Sequence, residues 1–283
     1  MPIPIIDTHI HIWDFEKAEY LWLKGNTSIL NRTYQLQELE RERVAAGITG
    51  GVLVQAANNL EDTNHMLQVA TQSPWISGVV GWLPLMNPVE TERLLTEEYG
   101  VREYFKGVRH MIHDEADPKW LLQSEVLESL DILAKHKLAY DVVGILPEHI
   151  STALKVAELV PNLNIVFDHL NQPPIPSNEK FGKWGALMKE AATRKNIYAK
   201  ISGLGTCSKM MDWNAHHIQP YVEFVFENFG IDRCFCGGDW PVSLLAGSYI
   251  KTWEIYRDVI GRLLPEDQQK KVYSENAAEF YQL

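Results

Sequence analysis

Short apolar runs alternate along this chain with longer stretches in which hydrophobic positions recur every three or four residues. The first pattern predicts buried strands and the second predicts amphipathic helices. Strands are predicted at 3–13, 50–56, 76–83, 105–112, 138–143, 163–170, 196–202 and 233–237. Helices are predicted at 35–46, 60–73, 88–99, 119–136, 147–160, 180–194 and 220–229, with closing helices at 249–264 and 266–281. Punctuation agrees with this reading: Gly47, Gly100 and Gly230 stand just past helix ends, and Pro88 and Pro220 stand at helix starts. The stretch 119–136 carries Leu122, Val126, Leu130 and Leu133 on one stripe, and a proline-rich loop is expected over 171–178.

Eight apolar strands, each followed by a helix, predict an α/β fold of one particular kind, a single (β/α)8 or TIM barrel. An open doubly wound sheet competes, but no Gly-x-Gly-x-x-Gly follows the first strand to support its nucleotide-binding version. There is no internal repeat, low-complexity tract or linker, so one domain over 1–283 is expected.

A net charge of −11 argues against nucleic acid or an anionic membrane surface as partner. No apolar stretch approaches the roughly 18 residues of a membrane span, and no basic segment precedes the first strand as in a signal peptide. Cys207, Cys234 and Cys236 are an odd number in a long chain, which favours reduced thiols and a cytoplasmic setting. Composition excludes neither a monomer nor a homo-oligomer.

In a barrel of this kind the reactive groups lie at the C-terminal ends of the strands. Alternation along the first strand predicts Asp7, His9 and His11 on one face, and two imidazoles in an apolar strand need a metal, a carbonyl or another partner. The fourth strand ends on Arg109 and His110, the fifth on Asp141, the sixth on Asp168 and His169, the seventh on Lys200 and Ser202, and the eighth on Asp239. Behind Gly237 and Gly238, the Asp239 carboxylate is suited to ligating a metal or taking a proton from water. The forked cation of Arg109 suits a substrate carbonyl, hydroxyl or carboxylate, and equally a salt bridge at the rim. Asp141 and Lys200 are candidates for substrate binding or for pairing with each other.

Strand alternation lets only one of Asp168 and His169 face the centre, and it turns His110 away from Arg109. His65, His113, His136 and His149 are expected on the surface, and His216 and His217 in the loop after the seventh strand. Trp13, Trp22, Trp82, Trp213 and Trp240 fall at or beyond strand ends, where flat rings pack against a sugar or against the protein itself. As a set, Trp13, Trp22, Trp82 and Trp240 are the candidate substrate-binding aromatics.

Five segments in this order resemble the amidohydrolase superfamily: Asp7-Thr8-His9-Ile10-His11 with Trp13, Gly107-Val108-Arg109-His110, Asp168-His169-Leu170, Lys200-Ile201-Ser202-Gly203, and Asp239-Trp240-Pro241-Val242. The similarity is greatest to the branch that includes sugar-acid lactonases of the L-fuconolactone and L-rhamnonolactone type and the pyrone-dicarboxylate lactonase. The resemblance implies a barrel hydrolase in which His9, His11, His169 and Asp239 match the metal-site residues. Departures are Arg109 in place of a carboxylatable lysine, Asp141 in place of a histidine, and Gly238 in place of serine. They imply one zinc ion or none, and no nucleotide or organic cofactor.

On that resemblance the substrate is a small sugar lactone, hydrolysed to its aldonic acid. Asp239 is the expected general base; His9, His11 and His169, directly or through one metal, steady the charge on the carbonyl oxygen, and Arg109 positions the ring hydroxyls or shares that stabilisation. A metal-dependent decarboxylase and a non-catalytic sugar-acid binding barrel are the alternatives.

Overall fold

The computed structural model describes residues 3–177 and 180–283, and its strands follow one another around a barrel. They are β1 (Ile6–Ile10), β2 (Gly50–Val54), β3 (Ile76–Gly81), β4 (Phe105–His110), β5 (Ala139–Val142), β6 (Ile165–Phe167), β7 (Ile197–Ile201) and β8 (Cys234–Cys236). Each pairs in parallel with the next. The ring closes between its last and first strands: Asp239 N–H donates to His9 O (2.8 Å), His11 N–H to Trp240 O (2.7 Å) and Thr8 Oγ1 to Cys236 O (2.7 Å). This is the expected (β/α)8 barrel. Its strands are apolar on both faces because one face meets the helices and the other fills the barrel.

Inside, Val52, Val54, Val80, Ala139, Val166 and Phe235 pack with Phe280 and Tyr281 from the end of the chain. Leu283 lies beside Gly78, and Lys106 Nζ donates to Gln282 O, so these last residues close the end of the barrel from which the strands start. The opposite end is left to polar side chains.

Several boundaries differ from the sequence expectation, each for a local reason. The helix expected from Pro220 begins five residues earlier, at Ala215–Phe229, because Asn214 caps it by accepting the His216 amide (3.0 Å). Pro220 therefore lies inside the helix, and His216 and His217 are in its first turn rather than in a loop. The helix expected over 119–136 is Ser124–Lys135, because extended backbone at Gln123 separates it from a short turn at Trp120–Leu122. His149 is buried instead of exposed: its Nδ1 accepts the amides of Ile145 (3.0 Å) and Leu146 (3.3 Å) at the start of the Pro147–Leu159 helix. In the proline-rich loop, Asn178 lies outside the described residues.

Candidate active site

Two local irregularities bring the polar strand ends together. The first is in β1, whose register with β2 shifts between Asp7 and Ile10. Asp7 consequently leaves the face it was expected to share with His9. Its carboxylate accepts the amides of His9 (2.9 Å) and Gly238 (2.7 Å) and the hydroxyl of Tyr249 (2.6 Å), in the layer between β8 and the outer helices. The chain at Gly237 and Gly238 runs so close to β1 that a Cβ at 237 would stand 2.5 Å from His9 Cβ, and one at 238 would stand 2.5 Å from Asp7 Oδ2. A side chain at either place would have to displace these neighbours.

The second irregularity follows β6. The strand ends at Phe167, and His169, Leu170, Asn171 and Gln172 all have left-handed backbone. Alternation ends with the strand, so Asp168 and His169 both reach the centre, where only one was expected. Asp168 meets Arg109 Nη1 (3.1 Å) and Lys200 Nζ (2.8 Å), while His169 Nε2 lies 3.9 Å from Asp239 Oδ1.

Around Asp239 Oδ1 the other two imidazoles gather, with His11 Nε2 at 3.6 Å and His9 Nε2 at 3.8 Å. The two rings meet at their Nε2 atoms, 3.1 Å apart. His11 Nδ1 lies 2.7 Å from the Val54 carbonyl, which can only accept, so His11 carries its proton there and has a lone pair on Nε2. Nδ1 of His9 faces Asp168 Oδ1 at 3.4 Å, and its Nε2 faces Arg109 Nη1, a donor, at 3.3 Å. Both neighbours favour a proton on Nδ1. Lys200 also lies 3.4 Å from that atom, but it is engaged more closely by two carboxylates.

Burial sets the charges. It holds His9 well below the usual histidine pKa, against the pull of Asp168, and it also lowers His11. The Asp168 carboxyl would be raised by burial, but Lys200, His9 and Arg109 reverse this and hold it well below the usual carboxylate range. His9 and His11 therefore stand as neutral imidazoles beside fixed charges.

His11, Arg109, His169 and Asp239 form the floor of a cavity of about 350 Å³, and His9, Asp168 and Lys200 lie buried directly behind them. Its walls include Trp22, Met111, His113, Val143, Lys209 and Val242. Among the aromatic candidates Trp22 lines this space, its indole N–H held by the Ala56 carbonyl (2.8 Å). Trp13 and Trp240 are buried against Tyr34, and Trp82 donates to His110 Nδ1 (3.0 Å); all three stand outside the cavity lining. Asp141 and Lys200, expected as substrate-binding candidates, are paired at 2.6 Å beneath the floor with no exposed surface. His110 is turned from Arg109 as expected, stacked on Trp120 at 4.0 Å and bonded to Glu115 (2.7 Å).

His113, Gln172, Thr206 and Lys209 also line the cavity, and the sequence reading did not select them. Their positions just past strand ends were the available signal. They lie in segments whose paths depend on tertiary packing.

A family model described as amidohydrolase matches residues 6–283. The chain is 31% identical to an L-fucono-1,5-lactonase of Burkholderia ambifaria over 98% of its length and 95% of that protein. It is 28% identical to an L-rhamnono-gamma-lactonase of Scheffersomyces stipitis, over 63% of this chain and 59% of that one. A crystal structure of a Burkholderia multivorans amidohydrolase with bound zinc superposes with a TM-score of 0.89 at 26% identity, covering 99% of each chain.

Proposed function

The chain belongs to the amidohydrolase family, and we propose that it is a lactonase that opens the ring ester of a sugar lactone to the aldonic acid. One observation carries this reading: a single carboxylate oxygen, on Asp239, faces His9, His11 and His169 within 3.9 Å on the floor of a cavity sized for a monosaccharide ring. The names of the two lactonase relatives support the substrate class and direct the first trials to 6-deoxy sugar lactones.

Asp239 takes a proton from water, whose oxygen attacks the lactone carbonyl carbon. Donors from Arg109 and His169 face the oxygen on which charge develops, in a setting where burial strengthens each hydrogen bond. The bond to the ring oxygen then breaks, and that oxygen takes up the proton to leave as a hydroxyl. Trp22 offers a flat apolar wall to the ring.

The residues present fit one divalent ion. An imidazole and carboxylate set suits zinc, and the ligand-to-ligand edge of a tetrahedral zinc site is about 3.3 Å. The 3.1 Å between the Nε2 atoms of His9 and His11 and the 3.6 Å from His11 to Asp239 compare with this. Two facing lone pairs repel unless a cation relieves them. His9, His11 and Asp239 would hold the ion, with His169 near enough to His9 and Asp239 to be a further ligand, and when bound it would polarise the lactone carbonyl.

A panel of aldono-1,4- and 1,5-lactones, followed by pH indicator with and without added zinc, tests the proposal. Acid release from at least one lactone at an enzymatic rate is expected. No acidification from any member would sink it.

A further inference from the structure

His169, Leu170, Asn171 and Gln172 have φ of 55°, 50°, 52° and 54°, and none is glycine. L-residues disfavour this region, and consecutive ones do so cumulatively, so the turn lasts only while its neighbours over-determine it. Three buried bonds do this. Trp184 Nε1 donates to Leu170 O (2.8 Å), Gly144 N–H donates to Asn171 Oδ1 (3.1 Å), and His169 N–H donates to Ser202 Oγ (3.2 Å).

The third bond determines more than the backbone. Ser202 has no exposed surface, and its oxygen also lies 2.9 Å from Nδ1 of His169. A hydroxyl has one proton to place, and a buried one needs an acceptor. Since the His169 amide is a donor, Nδ1 is the acceptor that the structure offers to this hydroxyl. With Nδ1 accepting, the neutral ring carries its proton on Nε2, the atom that faces Asp239 and the cavity. His11 has the opposite arrangement, with its proton on Nδ1 at the Val54 carbonyl.

We propose that Ser202 is a positioning residue that holds His169 in the form protonated on Nε2, so that His169 serves as a hydrogen-bond donor to the substrate while His9 and His11 present lone pairs. The identity of that substrate rests on the lactonase reading above; the tautomer does not. The histidines of this site thus divide into two roles through what their Nδ1 atoms touch. In the metal-free protein His169 thereby differs from His9 and His11, while its ring still lies close enough to His9 and Asp239 to share an ion with them.

The test reads the tautomer directly. Protein labelled with nitrogen-15 in histidine, stripped with chelator and held at about pH 8.5, above the ordinary histidine pKa of about 6.5, is examined by long-range proton–nitrogen correlation. The His169 ring is assigned by its loss in His169→Asn. A protonated Nε2 and an unprotonated Nδ1 are expected in the wild type. Ser202→Ala should abolish that pattern and lower kcat about 10- to 100-fold, with KM changed far less. Ser202→Thr, which keeps the hydroxyl, should restore both. A wild-type ring protonated on Nδ1 overturns the proposal, as does a Ser202→Ala protein with unchanged spectrum and kcat. If Ser202→Ala fails to fold, the wild-type spectrum alone gives the answer. A wild type that hydrolyses no lactone would remove the lactonase reading and leave the tautomer to be decided by the same spectrum.

Discussion

Asp168 Oδ1 lies 2.8 Å from Lys200 Nζ, and neither side chain has exposed surface. Below them the connection continues, because Lys200 meets Asp141 at 2.6 Å and Asp141 accepts the Tyr281 hydroxyl at 2.7 Å. Above them Asp168 meets Arg109 and His9. A buried chain of polar groups therefore runs from the closed end of the barrel to the floor of the cavity.

Removing its cation should be costly, since two carboxylates would remain buried without their partner. Lys200→Met is expected to lower the unfolding free energy by about 3–5 kcal/mol, as is typical for breaking a buried pair from one side. Urea denaturation measures this. A loss below about 1 kcal/mol would mean that the carboxylates find other partners.

Asp239 is assigned the proton transfer from water. Asp239→Asn keeps the shape of the side chain and its hydrogen-bonding capacity but removes the basic oxygen. Its kcat on the best lactone should fall about 10²- to 10⁴-fold, with an unchanged circular dichroism spectrum. Near-wild-type turnover would remove the assignment.

The facing Nε2 atoms of His9 and His11 make a prediction about metal that needs no substrate. Zinc added to chelator-treated protein at about 100 times its dissociation constant should stabilise the fold by about 2.7 kcal/mol. His11→Asn should abolish that shift, while the Ser202→Ala protein should retain it. Thermal unfolding with and without zinc gives the answer.

His149 supplies a pH dependence away from the site. Burial lowers its pKa from the usual 6.5, and its Nδ1 must remain an acceptor for two amides. A histidine lowered on folding contributes stability that is complete above about pH 6.5, the unfolded value, and is lost as pH falls through the folded value. The stability difference between wild type and His149→Asn should therefore be constant above about pH 6.5 and shrink below it. A difference that is flat to pH 4 would show that His149 titrates identically in both states.

The barrel was legible in the chain because burial on both faces produces continuous apolar runs, and because glycine and proline mark where each unit turns. The principal site groups were legible for a related reason. His9, His11, Arg109, His169 and Asp239 are polar residues at the C-terminal ends of apolar strands, where a solvated ending would need no such cluster. Tertiary structure alone decided which of them meet. Alternation predicts faces correctly only while a strand remains regular, and both exceptions fall at the site. The register shift in β1 turns Asp7 toward Tyr249, and the left-handed turn after β6 carries His169 to the same centre as Asp168. Separating Trp22 from Trp13, Trp82 and Trp240 needed the folded path of the loops, since all four occupy similar places in the sequence. Side-chain chemistry and periodicity are local properties and are written in the chain, whereas the position of a proton on an imidazole depends on a partner brought from a distant strand, as Ser202 is brought to His169.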